Sequence, residues 1–160
     1  MSAALSAPGP TLRKWWQRLA PLPGGPWLFG RVIGWIIPYT GTIRPRVLVL
    51  EPGYARVAMT DRRRVRNHLN SVHAVALMNL AEVTSGLALA LGLPAEVRGI
   101  PIGLSITFLK KARGPLVAEC RCEIPVVTAD REFEIEATIQ DAAGDEVARA
   151  TARWKLGLRT

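Results

Sequence analysis

Between Val72 and Leu91 the chain reads VHAVALMNLAEVTSGLALAL, and no other segment restricts its fold so tightly. Ala, Leu and Met dominate the run, all strong helix formers, and Gly92 with Pro94 stops it. The spacing predicts one long helix that is apolar nearly all round. Such a helix has no face for water and must be enclosed.

The rest of the sequence supplies the enclosure. RVLVLE at 46–51, a Pro52-Gly53 turn and YARVAMT at 54–60 predict a hairpin. After the helix come four alternating stretches, 99–111, 116–124, 132–140 and 146–158. In the first, Ile102, Leu104, Ile106 and Phe108 share a face. In the third, Phe133, Ile135, Ala137 and Ile139 oppose Glu132, Glu134 and Glu136. Arg149, Arg153 and Lys155 on the last strand are placed to pair with those glutamates. The expected class is therefore α+β: a long central helix wrapped by an antiparallel sheet with one wet face. Before it, Thr11–Ala20 and Pro26–Ile37 predict two short helices, split by PLPGGP at 21–26 and ended by Pro38. A chain of 160 residues holds one such core. We divide it into an N-terminal tail and helical extension, 1–36, and a main domain, 37–160.

The net charge of +8 is concentrated at one end. Residues 1–66 carry eleven Lys and Arg against two acids, and residues 67–160 carry ten against eleven. A basic half suits a polyanion or a membrane surface. Nucleic acid is not expected, because aromatics are 6% of the chain and no stacking signature accompanies the charge. Trp15, Trp16, Trp27 and Trp35 beside Arg13, Lys14, Arg18 and Arg31 allow peripheral membrane contact. The favoured reading is a helix pair packed over the domain. The Pro26–Tyr39 stretch contains Arg31 and is shorter than the ~20 apolar residues of a spanning helix. Residues 1–10 lack the basic-then-apolar order of a signal peptide. Cys120 and Cys122 are too close along a strand for a good disulfide, and both read as core filling. A cytoplasmic protein is expected.

Chemistry concentrates on the long helix. Its polar residues are Asn79, Glu82, Thr84 and Ser85, and Asn79, Glu82, Ser85 and Gly86 lie within about 60° of one line. No Lys or Arg stands within four residues of Glu82. A buried carboxylate without a cation is costly and is characteristic of functional sites. His68 and His73 lie five apart with no Cys or carboxylate cluster nearby, so no metal is expected. His73 opens the helix, where free N–H groups can receive an oxyanion.

The string NHLNSVHAVALMNLAE, Asn67 to Glu82, resembles the signature of phenylacetyl-CoA-type hotdog thioesterases. That family places an Asn six residues before a helix-opening His and an acid nine after it. Asn67, His73 and Glu82 match these spacings. IPYTGTIRPRVLVLEPG (37–53) and RRRVRNHLNSVHA (62–74) resemble an uncharacterised hotdog branch more closely still. The resemblance implies a hotdog fold over residues 37–158 and a site assembled across a homodimer or dimer of dimers. It implies that Glu82 activates water or attacks the thioester, and that Asn67 orients nucleophile or substrate. The Ala74 N–H would receive the oxyanion, with His73 organising the site.

Three departures stand out. His-Gly-Gly reads His73-Ala74-Val75, which narrows the approach to the helix end. The Gly three residues before the His is Asn70, and the acid is Glu rather than Asp.

The leading expectation is hydrolysis of acyl-CoA or an acyl carrier protein. The carrier would be part of the substrate, and no separate cofactor is expected. Arg62, Arg63, Arg64, Lys110 and Lys111 are candidates for its phosphates, and the apolar stretch 26–39 would line or lid an acyl pocket. Two other classes remain open: a non-catalytic acyl-thioester-binding module, favoured by Ala74-Val75, and a basic peripheral membrane protein. A nucleophile elbow and a phosphate-binding loop are both missing.

Overall fold

The helix expected over Val72–Leu91 is α4, Ala74–Gly92, in the computed structural model, which describes residues 8–159. His73 sets its start. Its backbone is extended while its Nδ1 accepts a hydrogen bond from the Val75 N–H at 3.1 Å.

Six strands form one sheet around this helix: β1 (Arg46–Glu51), β2 (Tyr54–Met59), β3 (Val97–Phe108), β4 (Leu116–Arg121), β5 (Arg131–Gln140) and β6 (Glu146–Leu158). Their order is β1-β2-β4-β5-β6-β3, and every adjacent pair is antiparallel. The strand following α4 thus lies at the far edge from the hairpin preceding it. A sheet curled around one central helix is the hotdog arrangement.

The alternation explains the layers. Ile135, Ala137 and Ile139 of β5 and Ala148, Ala150 and Ala152 of β6 are buried beneath Leu80, Leu87 and Ala88 of α4. On the wet face Glu132 pairs in register with Lys155, and Glu134 with Arg153. Arg153 Nε also reaches diagonally to within 3.8 Å of Glu132. Exposed pairs of this kind contribute about 0–1 kcal/mol each.

Two expectations need correction. The stretch 116–124 stays a strand only to Arg121. The Cys122 N–H then turns to the carbonyl of Gly53 in the hairpin turn. Both thiols are free, Cys120 buried and Cys122 half-buried. The second correction concerns β3. Ile102, Leu104 and Phe108 are expected to be covered, yet they are 41–50% exposed. β3 pairs only with β6 and forms the outer edge of the sheet, so the single helix covers its start, where Val97 is buried, and leaves Ile102, Leu104 and Phe108 bare.

The N-terminal segment packs as a helix pair, α1 (Pro8–Leu19) and α2 (Gly25–Ile36), followed by a short turn of helix, α3 (Pro38–Gly41). The helix expected from Thr11 starts earlier, at Pro8, and residues 1–7 of the N-terminal tail lie outside the described residues. Leu12, Trp15, Trp16 and Leu19 of α1 pack on the core, with Trp16 edge-on to Phe29 at 5.2 Å between ring centroids. Asn79 anchors α3, its Nδ2 donating to the Tyr39 carbonyl at 3.0 Å.

Candidate active site

The polar residues of α4 divide sharply. Thr84 Oγ1 donates back to the Leu80 carbonyl at 2.6 Å, Ser85 Oγ donates to the Glu82 carbonyl at 3.0 Å, and Asn79 is spent on α3. These hydroxyls and the amide are satisfied within the fold. The Glu82 carboxylate is not. Among the described residues it has no ion-pair or hydrogen-bond partner, and burial alone pushes its pKa above the ordinary value.

Glu82 faces a cavity of about 200 Å³ between the helix pair and the sheet. Trp15, Ile33, Ile36 and Ile37 form its roof, Val83, Gly86 and Leu87 its α4 wall, and Trp154 of β6 its floor. Ile33, Ile36 and Ile37 of the stretch 26–39 thus line this cavity, joined by Leu12 and Trp15 of α1. The sequence reading did not single out Trp154 for the site. Its one available signal was a large aromatic in a row of alanines on β6. Trp154 is buried, and among the described residues its Nε1 has no hydrogen-bond partner; its six-membered ring edge and the Glu82 carboxylate both approach Gly86.

A second cleft, of about 350 Å³, lies at the opposite end of α4. Asn67, Ala74, Phe108 and Lys111 line it. Val75 N–H is taken by His73 Nδ1, and the Ala76 and Leu77 N–H groups bond the His73 carbonyl. Among the described residues the Ala74 N–H has no acceptor. It is the open donor at the positive end of the helix.

The loop before α4 is tightly built. Asn67 Oδ1 accepts from Leu69 N–H, Ser71 N–H and Ser71 Oγ at 2.9–3.2 Å, which leaves only its Nδ2 for another partner. Asn70, where the thioesterase signature has Gly, adopts φ 54°. Asn is among the few residues that tolerate this left-handed region, so the substitution preserves the turn. Arg66 clamps the loop through Asp61 at 2.6 Å and Asn70 Oδ1 at 3.0 Å. Arg66 and the Gly114 N–H hold the Asp61 carboxyl below its ordinary pKa.

The structure gathers Asn67, His73 and Ala74 at one end of α4 and sets Glu82 apart from them. Eight residues of helix separate Ala74 from Glu82, about 12 Å at 1.5 Å per residue. The five basic candidates also divide. Lys111 lines the Ala74 cleft, as does Lys110, whose Nζ is held by Asp141 at 2.7 Å and by Asp145. Arg62 turns away and donates to the Thr42 carbonyl at 2.9 Å, while Arg63 and Arg64 are exposed on the adjoining turn.

The family model described as Domain of unknown function (DUF4442) matches residues 25–156. The chain belongs to that family. Its matched span begins within the helical extension, so DUF4442 includes α2 together with the wrapped helix. Solved structures agree on the hotdog fold. A structural-genomics target is 28% identical at a TM-score of 0.80, over 92% of this chain and 99% of its own. A Pseudomonas aeruginosa protein of unknown function, described as a probable thioesterase, is 25% identical at a TM-score of 0.75, over 86% of this chain and 97% of its own. A hypothetical thioesterase from Streptococcus pneumoniae, solved with coenzyme A, is 20% identical at 0.62, over 72% and 91%. Curated proteins yield no match to this DUF4442 chain.

Proposed function

We propose that this protein hydrolyses an acyl thioester, carried by coenzyme A or an acyl carrier protein, at a site shared by two copies of the chain. The observation that carries the reading is Glu82, an unpartnered carboxylate with a raised pKa at the wall of an apolar cavity. The thioesterase description of the Pseudomonas relative and the coenzyme A of the pneumococcal one support the same class.

One chain is not enough. A reacting carbonyl must lie about 3 Å from both its oxyanion donor and its nucleophile, yet Ala74 and Glu82 are about 12 Å apart along the helix. A second copy, paired along the open β3 edge, would bring its Glu82 to the first copy's Ala74. β3 is suited to that role, since a long unpaired apolar edge invites strand pairing.

In the assembled site the thioester oxygen accepts from the Ala74 N–H, with Asn67 Nδ2 available to hold water or substrate. Glu82 takes a proton from water as the water oxygen bonds to the carbonyl carbon. The oxyanion then collapses, the C–S bond breaks, and the leaving sulfur takes the proton back from Glu82 to depart as the free thiol, which regenerates the carboxylate. Attack by Glu82 itself would give an anhydride that water then opens. Label found in Glu82 after single turnover in oxygen-labelled water would mark the second route, because only water attack on the Glu82 carbonyl of the anhydride puts it there. An apolar protein cavity of about 150 Å³ admits benzene, so 200 Å³ suits an acyl group of about six to eight carbons. We place the reaction in the cytoplasm, where these carriers are made and used.

Release of free thiol from a panel of acyl-CoAs, for the wild type beside Glu82→Gln, tests the reading. We expect turnover that falls about a hundredfold or more in the variant with its oligomeric state intact. Equal rates would remove Glu82 from the mechanism. Binding of acyl-CoA without turnover in either would make the protein an acyl-thioester-binding module.

A further inference from the structure

Residues 1–50 contain no Asp or Glu, and Glu51 is the first acid in the chain. Within that span α2 has two unlike faces. Phe29, Gly30 and Ile33 are buried, whereas Trp27, Leu28, Arg31 and Trp35 fall within about 100° of arc on the outer side. Trp27 is 58% exposed and Trp35 69%, and Tyr39, just beyond on α3, is 61% exposed. The Arg31 guanidinium lies 6.0 Å from the Trp27 ring centroid. Arg31, Trp35, Pro38 and Arg44 border one surface hollow. Among the described residues no carboxylate lies within 4.0 Å of Arg31 or Arg44.

Large aromatics left in water beside unpaired cations mark a surface that meets something else. Its composition favours a bilayer. Trp and Tyr prefer the headgroup layer, where one end of the ring is apolar and the other wet. Arginines without any acid complement anionic phosphates. Ile37 adds a geometric argument, since it lines the Glu82 cavity and is also exposed beside Trp35 and Tyr39. The rim of the cavity therefore adjoins this face.

We propose that the outer face of α2 and α3 seats on an anionic phospholipid surface. Trp27, Leu28, Trp35 and Tyr39 enter the interfacial layer, Arg31 and Arg44 engage headgroup phosphates, and the Ile37 rim of the cavity is turned toward lipid. The contact is peripheral, because α2 is 12 residues long, well short of the ~20 that cross a bilayer.

The test is sedimentation of the full chain with phosphatidylcholine vesicles, with and without phosphatidylglycerol. The wild type should bind the anionic vesicles and release at high salt. Paired substitutions Trp27→Ser with Trp35→Ser, and Arg31→Gln with Arg44→Gln, should each weaken binding about tenfold. Melting curves matching the wild type would show that both variants remain folded. No binding by the wild type, or equal binding by the variants, overturns the proposal. So does a change of molar mass in light scattering without any effect on vesicle binding, which would make the face a contact between copies of this chain.

Discussion

The indole of Trp154 on β6 lies against Gly86 on α4, one helical turn beyond Glu82. A Cβ at position 86 would stand 3.2 Å from Trp154 Cη2 and 4.0 Å from Glu82 Oε1. Helix, ring and carboxylate thus meet at one point, and the missing side chain lets them do so. Gly in a helix interior costs about 1 kcal/mol relative to Ala, so its presence here reflects this close approach.

Gly86→Val should fill that contact. The added atoms would press on the indole and intrude on the cavity. We expect a loss of about 1–3 kcal/mol from overpacking, read by urea denaturation, together with a shift of acyl preference to shorter chains on the acyl-CoA panel. An unchanged preference would separate the Trp154 contact from the acyl site.

Glu82 predicts a specific pH dependence. Its folded pKa is raised above the ordinary 4.5 by burial, so between these two values the folded state holds the proton more tightly than the unfolded chain. Its contribution is therefore present below 4.5 and lost as pH rises through the folded pKa. The wild type should lose thermal stability relative to Glu82→Gln as pH climbs through this window, measured as Tm against pH. Parallel Tm curves would contradict the raised pKa. Turnover should show the complementary trend, rising with pH as the base ionises.

Asn70 occupies a left-handed turn at φ 54°. Asn70→Gly should leave stability nearly unchanged, because backbone relief offsets the lost bond to Arg66. Asn70→Val should cost about 1–2 kcal/mol or more, measured by urea unfolding. It should also reduce turnover, since the same loop presents the Ala74 N–H.

The open edge of β3 gives a fourth expectation. Leu104→Lys with Phe108→Lys would place two charges on the exposed apolar row. Light scattering should then report a monomer, and thiol release should fall to background with secondary structure retained. A monomeric variant with full turnover would show that one chain holds a complete site.

Much of this was legible in the sequence because it is local. The run from Val72 to Leu91 fixes a helix by propensity and its enclosure by being apolar on every side. Period-two alternation in 132–140 and 146–158 fixes two strands and assigns their wet faces. The spacing from Asn67 through His73 to Glu82 carries the hotdog resemblance, and the lack of a cation near Glu82 already marks it. The rest depends on what lies across space, which no local pattern encodes. β3 alternates like its neighbours, and only its place at the sheet edge leaves Leu104 and Phe108 uncovered. Trp154 looks like any core aromatic until folding sets it against Gly86. Lys110 and Arg62 look equally free in sequence, yet Asp141 and Asp145 engage one and the Thr42 carbonyl holds the other. Sequence determines which residues seek burial, because that preference belongs to each side chain. Tertiary structure decides which of them meet, because a contact belongs to two distant positions at once.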